Sequence, residues 1–86
     1  GVALMNIGVV CSDIGKSDKA IEYYEQALVL FKEKDTKDDL LYLLGNMGEE
    51  QLIMKNYLEA EKLFEQAIDL NKIVKDKYIA KINQYL

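Results

Sequence analysis

The sequence predicts an all-α fold, a stack of antiparallel helix pairs, on three grounds. The chain repeats itself at an offset of 40 positions, its apolar residues recur with a helical period, and it has no proline. The offset lays Leu4 on Leu44, Asn6 on Asn46, Gly8 on Gly48 and Ala20 on Ala60. Glu25-Gln26-Ala27 then falls on Glu65-Gln66-Ala67, Leu30 on Leu70, Lys32 on Lys72 and Tyr24 on Phe64. Matches this dense at one offset mark a duplicated structural unit.

The first helix is expected at about 2–14, where Ile7, Val10, Cys11 and Ile14 have the spacing of one helical face. Gly15-Lys16-Ser17-Asp18 reads as its stop and the start of the next. The second, about 18–34, carries Ala20, Ile21, Tyr24, Ala27, Leu28 and Phe31 as its inner stripe. Thr36 followed by Asp39 has the spacing of a capping box and opens a third helix, about 38–54. Leu40, Leu41, Leu43 and Leu44 leave that helix little polar surface, so it should be the most buried. Lys55-Asn56-Tyr57 occupies the place of the first stop, and Asn56 with Glu59 repeats the capping spacing ahead of a fourth helix at about 57–74. A fifth helix is expected at 77–86, as the start of a third unit or as a cap. The chain thus reads as one array, with repeat 1 at about 1–36, repeat 2 at about 37–76 and the remainder beyond. Short connections force neighbouring helices antiparallel, and pairs that each expose an apolar face stack to bury it, giving a right-handed solenoid.

Composition excludes several function classes. Half the residues are apolar and 30% are charged, which suits a folded chain. The formal charge of −4 has the wrong sign for neutralising phosphates, and with every basic residue a lysine the bidentate arginine fork is missing; nucleic acid is a poor partner. No stretch approaches the roughly 18 uncharged residues of a membrane span. The absence of histidine removes the commonest general base and metal ligand, and a lone Cys11 cannot form an internal disulfide, so no cofactor or metal is expected and a reducing, cytoplasmic compartment fits. The first residue is glycine and helical pattern begins at once, which reads as a segment of something longer.

The repeated positions resemble the tetratricopeptide repeat, which has a small-apolar and glycine step in its first helix and alanine, aromatic and alanine in its second. Here these are Ile7-Gly8, Ala20, Tyr24 and Ala27, then Met47-Gly48, Ala60, Phe64 and Ala67. The chain departs from that pattern at Leu4 and Leu44, at Cys11 and Gln51, and at Lys32 and Lys72, where the family usually has aromatics and a closing proline. Its period of 40 exceeds the usual length of about 34 because the second helix runs on through Lys-Glu-Lys-Asp. That longer repeat is similar to those of peptide-responsive bacterial regulators, spindle-orientation adaptors and some sensor kinases.

The resemblance implies a groove lined by the first helix of each pair, with the residue ahead of the glycine step facing a ligand. That residue is Asn6 and again Asn46, and a ladder of amides can bond the peptide groups of an extended ligand; the plain alternative is a solvated amide. The same face should carry Val2, Met5, Val9 and Asp13, then Tyr42, Gly45, Glu49 and Ile53. Met5 and Tyr42 would be apolar anchors, although such residues at helical spacing also serve as core. Cys11 reads as a structural thiol on the inward face with Ile7 and Ile14. The pairs Asp38-Asp39 and Glu49-Glu50 diverge by about 100° around a helix axis, so they read as a helix-start charge and a solvated face rather than as catalytic dyads.

The expected function is therefore a non-catalytic module that holds a partner protein or peptide in a helical groove. Two alternatives stay open: a peptide-sensing domain of a bacterial transcription regulator or signalling protein, and a structural spacer in a larger enzyme such as a sensor kinase. Self-association through exposed repeat ends is expected as well.

Overall fold

The computed structural model describes residues 2–34 and 36–83, without the side chains at 77, 78, 81 and 82. Four helices account for nearly all of it: α1 (Val2–Asp13), α2 (Ser17–Lys34), α3 (Lys37–Ile53) and α4 (Tyr57–Asn83). Each packs on its neighbour in the chain, and α1 also touches α3. There is no strand among the described residues.

The two intra-pair turns are the same structure built twice. Gly15 N–H donates to Ser12 O at 3.0 Å and Lys16 N–H to Cys11 O at 2.8 Å. Forty residues on, Lys55 N–H donates to Leu52 O at 3.0 Å and Asn56 N–H to Gln51 O at 2.8 Å. This double bond pattern closes a helix only if the turning residue is left-handed, and φ is 80° at Gly15 and 65° at Lys55. Glycine adopts that conformation freely; lysine adopts it under strain.

The capping expectations do not hold at α3. Thr36 makes no side-chain bond to the start of the helix; its Oγ1 donates back to Phe31 O at 3.5 Å, closing the end of α2 instead. Asn56 Nδ2 donates to Gln51 Oε1 at 2.9 Å, which ties the turn to α3.

A fifth helix beginning at 77 is also corrected, because α4 runs unbroken through that point to Asn83; residues 84–86 of that expectation lie outside the described residues. Thr36 corresponds to Asp76, and Leu40 and Leu43 to Ala80 and Asn83, so the apolar entrance that folds α3 back onto α2 has no counterpart. Without that entrance the chain does not fold back, and the 27 residues of α4 span about 40 Å.

One core joins the pairs. Met5 of α1, Ala20, Tyr24, Ala27 and Phe31 of α2, Leu43, Leu44 and Met47 of α3, and Leu63 of α4 form a single buried cluster. Leu4, Val9, Cys11, Leu28, Leu40, Ala67 and Leu70 pack around it. As expected, α3 has the largest buried share, since it is sandwiched between α2 and α4. The inward face expected for α1 is corrected: Ile7, Val10 and Ile14 are exposed, and the helix turns Met5 and Gly8 inward.

The two glycine steps explain the closeness of each pair. A Cβ on Gly8 would lie 2.6 Å from Cε1 of Tyr24, and one on Gly48 would lie 2.7 Å from Cε1 of Phe64. Each ring therefore lies flush against the backbone of the preceding helix, a contact that only glycine permits.

Candidate peptide-binding groove

The residues expected to line a groove lie on α1 and α3, which are adjacent and correspond position by position. Val2 and Tyr42 stand at one end, Asp13 and Ile53 at the other, and all four are exposed. Between them the pairs are uneven. Asn6 is exposed, whereas Asn46 is half-buried and its Nδ2 is covered with no hydrogen-bond partner among the described residues. Val9 is half-buried and packs on the core, while its counterpart Glu49 is exposed. Met5, expected in the groove, is a correction: it is 6% exposed and belongs to the core, while its counterpart Gly45 has open space where a side chain would be.

Behind this surface lies a polar cluster that the sequence reading missed. Glu50, read as part of a solvated face, is instead 1% exposed and only Glu49 meets water. Ser12 Oγ donates to Glu50 Oε2 at 2.5 Å, bonding α1 to α3, while Oε1 has no partner among the described residues. Glu50 corresponds to Val10, which lies on the apolar stripe of α1, so the same offset that revealed the repeat marks position 50 as an inward site. Tyr24 stands near the same carboxylates. Burial first, then Glu50, Asp13 and Glu49, push its phenol up to about 12 from 10.0. Cys11, half-buried and unpaired, adds a smaller push in the same direction.

Among the described residues no group of histidine, cysteine or carboxylate side chains is placed to hold a metal ion, and no helix is long and apolar enough to cross a membrane. A family model for the tetratricopeptide repeat matches residues 1–73, the stretch that holds the paired helices and the duplicated glycine–aromatic contacts. The chain belongs to the tetratricopeptide-repeat family. No curated protein and no solved structure matches it. Tetratricopeptide repeats are in general protein-interaction modules and typically non-catalytic, which suits a surface of amides, carboxylates and apolar side chains.

Proposed function

We propose that the chain binds an extended segment of a partner protein along the neighbouring faces of α1 and α3, without catalysing a reaction. The observation that supports this reading is the exposure of corresponding residues at both ends of the two helices, Val2 with Tyr42 and Asp13 with Ile53. Exposed tyrosine and isoleucine are natural anchors for apolar ligand side chains, and the exposed Asn6 amide suits a ligand peptide group. Asp13 and Glu49 are exposed carboxylates, so the favoured ligand combines apolar residues with lysine or arginine. The unpaired thiol of Cys11 supports a reducing, cytoplasmic setting.

Selection from a displayed library of random peptides tests the reading. Bound peptides should be enriched in basic and apolar residues, and Tyr42→Ala or Ile53→Ala should weaken a selected peptide about tenfold or more. Failure to select any peptide, or affinities indifferent to both substitutions, refutes it.

A further inference from the structure

The two intra-pair turns share a backbone but not a surface. At the first, α2 opens with Ser17-Asp18, residue types that favour the start of a helix. At the second, α4 opens with Tyr57-Leu58, which bring neither a short capping oxygen nor a charge. Tyr57 is 63% exposed and Leu58 78%, and on the other side of the turn Ile53 and Met54 also meet water. None of the four belongs to the buried core.

This exposure does not depend on the extent of the array. Asp13, Ile14 and Asp18 hold in repeat 1 the places of Ile53, Met54 and Leu58, and they stay exposed although α3 packs on both helices of that repeat. Only the place of Tyr57 differs, since Ser17 is half-buried. The edge that carries the turns is thus surface that a neighbouring repeat leaves open, and in repeat 2 it is apolar. Folding gains nothing from such a patch, whose size of several hundred Å² is that of an interaction site.

The charges beside it indicate the occupant. Lys55 and Glu59 are exposed, flank Tyr57 and Leu58 in the sequence and line one depression with them. An apolar centre with a cation before it and an anion after it is self-complementary, because a two-fold axis sets each lysine against the glutamate of the other copy. Two such patches together reach about the 1,000 Å² that a specific interface needs.

We infer that two copies of this chain associate through their α3–α4 turns, with Tyr57 and Leu58 meeting across a two-fold axis and Lys55 of each copy facing Glu59 of the other. The contact uses one face twice, so it closes at two copies. Ile53 lies at the border of this surface and of the proposed peptide groove, and the test leaves it unchanged.

Sedimentation of the purified 86-residue chain from micromolar to millimolar concentration tests the inference. The wild-type mass should rise to that of a dimer and stop there. The double variant Tyr57→Ser with Leu58→Asp, which copies the first turn, should remain a monomer. Lys55→Glu and Glu59→Lys should each weaken the dimer about fivefold or more by setting like charges face to face, while an equal mixture of those two should pair at near wild-type strength. A monomeric wild type, growth beyond two copies, association untouched by the double variant, or a mixture no stronger than its components overturns the inference. Helical circular dichroism verifies that each variant folds, and Leu58→Glu alone replaces the double variant if that one does not.

Discussion

Ser12 and Glu50, 38 residues apart, share a hydrogen bond that joins the first helix of one repeat to the first helix of the next. The carboxylate is fully buried and its other oxygen is unpartnered, so the serine hydroxyl is its sole hydrogen-bond donor among the described residues. Ser12→Ala removes that donor and is expected to destabilise by about 1–3 kcal/mol. Adding Glu50→Val, which installs the residue found at the corresponding position 10, should recover most of the loss by removing the buried polar group altogether. Denaturant midpoints of the single and double variants check this. A double variant weaker than Ser12→Ala would mean that Glu50 has support beyond the serine.

Tyr24 makes stability fall at high pH. Its folded phenol is pushed up to about 12, against 10.0 when unfolded, so the unfolded chain releases this proton first. The contribution is fully present below pH 10 and is lost between pH 10 and 12, at about 1.4 kcal/mol per pH unit, or roughly 2–3 kcal/mol in all. Tyr24→Phe, which copies Phe64 of the second repeat, should flatten the stability curve in that window relative to wild type. Parallel curves for the two proteins above pH 10 would rule the assignment out.

The three helical glycines should respond differently to alanine. Gly8→Ala and Gly48→Ala force a methyl into the rings of Tyr24 and Phe64 and should each cost about 1–3 kcal/mol. Gly45 has open space at its Cβ position, so Gly45→Ala should stabilise α3 by about 0.5–1 kcal/mol through helix propensity. Thermal unfolding of the three variants gives the order directly, and a Gly45→Ala protein less stable than wild type contradicts the geometry.

Much of this was legible in the sequence because it is local or repeated. The correspondence of Gly8 and Tyr24 with Gly48 and Phe64, and both helix stops, follow from residue type and the 40-residue offset, while the contact of each ring with its glycine emerged only in the structure. What was not legible depends on neighbours. Ile7 and Val10 look like core by periodicity, yet are exposed, because among the described residues no helix packs on that face of α1 as α2 packs on α3. Glu50 looks solvated by type, yet burial between helices decided its place. The length of α4 was missed because a repeat boundary was expected where Ala80 and Asn83 replace the apolar Leu40 and Leu43 that fold α3 back.

Lys55 holds a left-handed conformation that its counterpart Gly15 adopts without cost. Lys55→Gly should therefore stabilise the protein by about 1 kcal/mol, less the added freedom of the unfolded chain, while Gly15→Ala should destabilise by a similar amount. Chemical denaturation of both variants checks the pair, and the expectation fails if Lys55→Gly lowers the midpoint.

The two asparagines that the repeat places in register differ in accessibility, and this separates their roles. Asn6 is exposed, so its amide is free to meet a ligand, whereas the Nδ2 of Asn46 is covered and unpartnered. If the groove binds as proposed, Asn6→Ala should weaken a selected peptide by about 1–3 kcal/mol while leaving the unfolding midpoint unchanged, because an exposed amide adds little to folding. Asn46→Ala removes a buried donor that has no acceptor and replaces it with a better helix former, so stability should hold or rise. Its effect on binding should be the smaller of the two. Titration of one selected peptide against both variants, beside their melting curves, separates the cases. Equal binding losses would show that Asn46 turns its amide outward to the ligand, and a sharp drop in the stability of Asn6→Ala would make that residue a structural one.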